Sequence, residues 1–191
     1  MMTYTIDLKP ALELTDEQFW QICVANQDLR FEKSAAGELV IMPPTGGGTS
    51  RSNAKCSYQL VQWTETIGDG ESFDSSGGFQ LPNGATRSPD AAWVKQERWD
   101  GLSIEAQERF VPLCPDFVIE ILSPSDSLKA TQAKMQEYLD NGAQLGFLIN
   151  RKSRQVEIYR PERSVEVLDN PQTVSGEPLL AGFTLNLAPI W

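Results

Sequence analysis

Asp90 and Glu120 are the two side chains whose surroundings most call for chemistry. Asp90 opens the segment Ser88-Pro89-Asp90-Ala91-Ala92-Trp93-Val94. Glu120 interrupts the apolar run Phe117-Val118-Ile119-Glu120-Ile121-Leu122. An ionised carboxylate in such a run is costly unless a cation or hydrogen bonds satisfy it. Two such carboxylates on neighbouring strands make a site for a hard divalent cation, and so for phosphodiester chemistry. Each alone has a plain structural reading. Ser-Pro-Asp is a common turn, and Glu120 could pair with an arginine or a backbone donor in the core. The pair says more, because both lie at strand-like segments separated by a modest connection.

Composition narrows the chemistry further. The chain has 191 residues, 40% of them hydrophobic, which suits one domain over 1–191 with a sizeable core. It has no histidine, which excludes Ser-His-Asp and Cys-His catalysis and His-ligated zinc. Cys23, Cys56 and Cys114 are isolated and read as small apolar residues, not as a disulfide framework or zinc motif. Catalysis would therefore use carboxylates, lysines, hydroxyls or a metal held by oxygen. The net charge of −10 argues against strong nonspecific nucleic-acid binding, which draws on Lys and Arg at phosphates. It does not exclude a nucleic-acid enzyme, since a metal neutralises part of an acidic site. Five basic residues (Arg151, Lys152, Arg154, Arg160, Arg163) fall within 151–163 and read as a solvated hairpin face. No apolar run approaches the roughly 18–20 residues of a membrane span, and the N-terminus lacks the pattern of a signal peptide. No membrane partner and a cytoplasmic location are expected.

The elements that must position these residues form a mixed α/β pattern: a meander holding both carboxylates, then strand–helix–strand. Thr15 is a candidate N-cap for a first helix with Phe19, Ile22 and Cys23 inward. Arg30–Lys33 and Glu38–Met42 read as a strand pair. Thr49–Ile67 suits a helix with Ala54, Tyr58, Val61 and Thr64 near one face, stopped by Gly68-Asp69-Gly70. Ser72–Ser75, Gly78–Leu81 and Asp90–Val94 are strand candidates. Phe117–Leu122 is short, β-branched and bounded by Pro115 and Pro124, which marks a buried strand. Its alternation puts Val118, Glu120 and Leu122 on one face. A helix is expected from Ser123-Pro124-Ser125-Asp126 to about Asn141. Leu145–Ile149, Gln155–Tyr159 and Val165–Leu168 read as further strands, and 171–191 as short extended pieces.

The helix after Glu120 adds a cation. Leu128, Thr131, Met135, Tyr138 and Leu139 cluster on its packed face, and Lys134 borders it. Lys134 could reach back to Glu120, whereas Lys129 lies farther round and faces solvent. For Lys134 the plain alternative is a snorkelling surface lysine.

Together, Ser-Pro-Asp90, Pro-Asp-Phe-Val-Ile-Glu120-Ile-Leu-Ser-Pro-Ser, Lys134-Met-Gln-Glu-Tyr-Leu-Asp-Asn-Gly and Leu-Gly-Phe-Leu-Ile resemble the bacterial Uma-two-type endonucleases. These belong to the PD-(D/E)xK restriction-endonuclease-like superfamily. The resemblance runs from about Leu14 to the C-terminus. It implies a restriction-endonuclease-like α/β (α+β) core, a mixed β-sheet flanked by helices. It also implies Mg²⁺ or Mn²⁺ as cofactor and DNA as substrate. Asp90 and Glu120 would be metal ligands, joined by the backbone carbonyl of Ile121. The superfamily's usual lysine position is Leu122 here. In the resembling family a lysine on the following helix takes that role, and Lys134 matches its place. Glu32 is an additional acidic candidate for the catalytic set. A histidine frequent near the start of the first core helix has no counterpart, and Asn150 stands where Asp is frequent. Cutting both strands suits a twofold homodimer. Two other classes stay open: a nuclease-like fold that binds nucleic acid or protein without cutting, and an α/β domain in which Glu120 is a core ion pair.

Overall fold

The protein is described here by a computed structural model, which covers residues 3–67 and 69–191. Met1, Met2 and Gly68, part of the expected stop of the second helix, lie outside the described residues. The first half contains β1 (Tyr4–Ile6), α1 (Asp16–Ala25), β2 (Arg30–Lys33), β3 (Leu39–Met42), α2 (Gly47–Ile67), β4 (Gly70–Asp74), β5 (Phe79–Gln80), β6 (Thr86–Arg87) and β7 (Ala91–Lys95). The second half contains α3 (Gln96–Asp100), α4 (Ile104–Gln107), β8 (Phe117–Ile121), α5 (Leu128–Asp140), β9 (Leu145–Asn150), β10 (Gln155–Tyr159), β11 (Glu166–Asp169), β12 (Thr173–Ser175) and β13 (Thr184–Asn186). None of the described helices is long and apolar enough to cross a membrane.

The central sheet has six strands in the order β11-β10-β9-β8-β7-β4. β8 and β9 are parallel, and the other pairings are antiparallel. The parallel pair needs a crossover, and α5 supplies it. A smaller five-stranded sheet, β1-β3-β2-β6-β5, carries Glu32 on β2. The β12–β13 pair belongs to the C-terminal segment.

Alternation along β8 and β9 splits the core between the two faces of the central sheet. Phe117, Ile119, Ile121, Phe147 and Ile149 pack with Cys56 and Leu60 of α2 and with Leu180, Phe183 and Leu185 of the C-terminal segment. On the opposite face Val118 and Leu148 pack with Met135 and Tyr138 of α5. Gly146 on β9 is what lets α5 come so close. A Cβ there would lie 2.4 Å from Met135 Cε and 3.3 Å from a Val118 methyl.

Three local expectations are corrected. The buried face of α2 is Thr49, Ser52, Asn53, Cys56, Leu60 and Thr64, whereas Tyr58 and Val61 are exposed. Small polar side chains face inward because α2 hydrogen-bonds the C-terminal segment: Ser52 Oγ donates to the Ile190 carbonyl at 2.9 Å. The helix after Glu120 begins at Leu128, capped by Ser127. Asp126, expected inside it, instead accepts the Ser123 N–H in a turn. β7 begins at Ala91, so Asp90 sits just before the strand. The first helix matches its expectation, with Thr15 and Gln18 forming a reciprocal capping box.

Candidate active site

β7 and β8 run antiparallel with Ala91 opposite Ile119. Asp90 precedes the first of these residues and Glu120 follows the second. Strand pairing alone therefore delivers both carboxylates to one end of the sheet. Asp90 Oδ2 accepts the Ile121 N–H at 2.7 Å, and Oδ1 accepts Asn53 Nδ2 from α2 at 2.5 Å. Asp90 is thus held between the second turn of α2 and the end of β8.

Glu120 points to the α5 face, as the alternation of β8 requires, and is 8% exposed. Its Oε1 receives two donors, Lys134 Nζ at 2.7 Å and the Tyr138 hydroxyl at 3.0 Å. Among the described residues no donor reaches Oε2. Lys134 and Tyr138 are four apart on α5 and so share a helix face. Lys134 Nζ also lies 2.8 Å from Glu32 Oε1. Glu32 further accepts the Ser88 N–H at 3.0 Å and Arg87 Nη1 at 3.1 Å. Arg87 Nε donates to Glu137 at 2.6 Å. Charges thus alternate from Glu120 through Lys134, Glu32 and Arg87 to Glu137.

Burial raises the Asp90 carboxyl above its usual range, although the Ile121 N–H and Lys134 oppose it. Burial likewise pushes Glu120 up to about 7; Lys134 pulls it down, while Asp90 and Glu32 repel its charge. Burial disfavours a charged Lys134, but Glu120 and Glu32 outweigh it and raise the lysine above its ordinary value. Glu32 ends below its usual value: burial raises it, and Lys134 and Arg87 together overcome that. Lys134 has two carboxylates, while Glu120 has one lysine and two acidic neighbours. The ammonium therefore persists, and Glu120 takes up a proton more readily than Glu32.

The donor set suits a hard cation. The candidate side-chain donors are carboxylate oxygens, with no thiolate or imidazole among them. Among the described residues Glu120 Oε2 has no hydrogen-bond donor, and Asn53 Oδ1 is buried without a partner beside Asp90. Among the described residues no group of three His, Cys, Asp or Glu side chains converges. Mg²⁺ commonly takes only one or two carboxylates and keeps several waters. Glu32 is near but committed to Lys134, Arg87 and the Ser88 N–H.

Asp90, Glu120, Ile121, Lys134 and Glu32 therefore lie together, and Lys129 is exposed. Leu122 packs against the α5-side core. Three contributors escaped the sequence reading. Tyr138 reads as part of the apolar stripe, although its spacing of four from Lys134 carries the signal. Asn53 is hidden by its polar type on a face judged by apolar periodicity. Arg87, three residues before Asp90, has no local signal.

The chain matches the family model Uma2, described as "Putative restriction endonuclease", over residues 16–188. A solved structure with the same fold is that of a "putative nuclease belonging to DUF820" from Anabaena variabilis. The two have a TM-score of 0.72 and 22% identity, over 84% of this chain and 88% of that one. No curated protein matches the chain. The core is of the restriction-endonuclease-like kind, a mixed sheet flanked by helices.

Proposed function

The chain belongs to the Uma2 family, and from that premise we propose that it is a Mg²⁺- or Mn²⁺-dependent endonuclease hydrolysing DNA phosphodiester bonds in the cytoplasm. The observation that carries this reading is the meeting of Asp90 and Glu120 at one sheet end, with the Lys134 ammonium 2.7 Å from Glu120. Asp90 and Glu120 would hold the metal, with the Ile121 carbonyl as a further oxygen donor. A bound Mg²⁺ would polarise the phosphate and acidify a water.

The protein's own groups account for the rest. The Ile121 N–H and Asn53 amide hold the Asp90 carboxylate, which spares that carboxylate reorganisation when a substrate arrives. Lys134 keeps its proton, so it serves as a donor and positive charge towards a phosphoryl oxygen, not as a general base. Glu32, 2.8 Å from the same ammonium, helps position Lys134. Two such sites in a twofold dimer would suit cutting of both strands.

The test is cleavage of plasmid and single-stranded DNA by wild type, Asp90→Ala and Glu120→Ala in Mg²⁺, Mn²⁺ or EDTA. Metal-dependent cutting by wild type and its loss in both variants, with the fold retained by circular dichroism, is the expected outcome. Full activity in either variant would sink the assignment. Leu122 at the superfamily's lysine position, with the net charge of −10, favours a second reading: a nuclease fold that binds without cutting. That reading predicts DNA binding that survives Glu120→Ala and needs no metal.

A further inference from the structure

Glu120 is unevenly occupied. Lys134 Nζ and the Tyr138 hydroxyl both terminate on Oε1, at 2.7 and 3.0 Å. An sp² carboxylate oxygen has two lone-pair directions, so two donors fill it. Among the described residues no hydrogen-bond donor is placed on Oε2. Tyr138 is fully buried, and its ring packs in the core with Met135. Its hydroxyl therefore cannot swing away without disturbing that packing. Burial and the neighbouring Glu120 and Glu32 charges hold its phenol well above the usual value, so it stays a donor.

We propose that Tyr138 is a specificity-determining positioning residue: with Lys134 it reserves Glu120 Oε1, leaving Oε2 alone for the cation. The inference rests on the metal-site reading above. The consequence is discrimination between ions. Ca²⁺ accepts carboxylates through one or both oxygens in a loose shell of six to eight ligands. Mg²⁺ demands a compact octahedron and retains waters. A carboxylate restricted to one oxygen withholds the second contact that Ca²⁺ would use and costs Mg²⁺ little.

The experiment is isothermal titration of the full-length protein with Mg²⁺, Mn²⁺ and Ca²⁺, for wild type, Tyr138→Phe and Glu120→Ala. Tyr138→Phe keeps the ring and removes only the donor. Its Ca²⁺ affinity should rise relative to Mg²⁺ by about ten-fold, the scale on which partners of metal ligands act. A purely structural tyrosine would change all three ions by one common factor, and that result overturns the proposal. An unchanged Ca²⁺-to-Mg²⁺ ratio in Tyr138→Phe, while Glu120→Ala abolishes binding, overturns it too and leaves the metal site standing. A wild type that binds none of the ions overturns the metal site and this inference with it. Should Tyr138→Phe fail to fold, Lys134→Met frees the same oxygen from the other donor. It must move the ratio in the same direction, and no movement there overturns the proposal.

Discussion

Glu32 and Glu120 share one lysine yet respond to acid in opposite ways. Glu32 is lowered below 4.5 because two cations outweigh its burial. Its contribution to stability is present above the unfolded-chain value and lost as pH falls through the folded one. Glu120 is raised from 4.5 to about 7 because burial and two acidic neighbours outweigh one lysine. Its contribution is complete below 4.5 and is lost as pH rises through about 7. Thermal unfolding in EDTA across this range separates the two. Glu32→Gln should cost about 3–5 kcal/mol near neutral pH, because Lys134 and Arg87 lose a buried partner, and should flatten the acid limb. Glu120→Gln should remove the decline between pH 4.5 and about 7. If both variants left the profile of wild type unchanged, the charge network would carry none of the stability ascribed to it.

At the scale of elements, the site depends on how closely α5 lies on β9. Lys134 and Tyr138 flank Met135, which sits where a Gly146 side chain would go. Gly146→Ala forces Met135 or the helix outward. A destabilisation of about 1–3 kcal/mol follows for such overpacking. Because the helix carries both donors to Glu120, Mn²⁺ affinity should fall in the same variant, measured by calorimetry beside the melting curve. Destabilisation with unchanged Mn²⁺ affinity would mean that Met135 alone absorbs the strain. Much of this scale was readable in advance. Phe117–Leu122 and Leu145–Ile149 stand out as short apolar runs, and α1 announces itself by Thr15 at its N-cap. The inward face of α2 did not, because Thr49, Ser52 and Asn53 are held there by tertiary hydrogen bonds that apolar periodicity does not register.

For the whole molecule, what matters is where the charge lies. The five basic residues of 151–163 look like one patch in sequence, but β10 separates them. Arg151, Lys152 and Arg154 sit in the turn after β9, at the sheet end where Ile121 pairs with Ile149. Arg160 and Arg163 lie beyond the far end of β10, where Arg160 pairs with Glu166. Arg151 is engaged by Thr49 and Ser52 of α2. Lys152 and Arg154 are exposed at the site end. Lys152→Glu with Arg154→Glu should weaken DNA binding and reduce the salt dependence by about two counterions, whereas Arg163→Glu should change neither. Fluorescence anisotropy at several salt concentrations reads both quantities. Equal effects from the two ends would mean that DNA does not approach by the sheet end carrying Asp90.

The amino-acid sequence by itself determined that oxygen chemistry was in prospect. It has no histidine, and it sets a carboxylate inside a run that otherwise reads as core. Period-two alternation then dictated that Glu120 share a face with Val118, and helical period that Lys134 lie near Tyr138. These are local matters, settled by residues a few positions apart. Which oxygen of Glu120 is filled, which amide holds Asp90, and which cations balance Glu32 were decided only by tertiary structure. Asp90 lies just outside β7, where strand alternation no longer governs it, and its partner Asn53 is 37 positions away. Glu32 and Lys134 are 102 positions apart, on a strand of the smaller sheet and a helix of the central one. Nothing in a local pattern encodes that meeting. It follows from two sheets and α5 packing around a common core, which brings these charges together away from water.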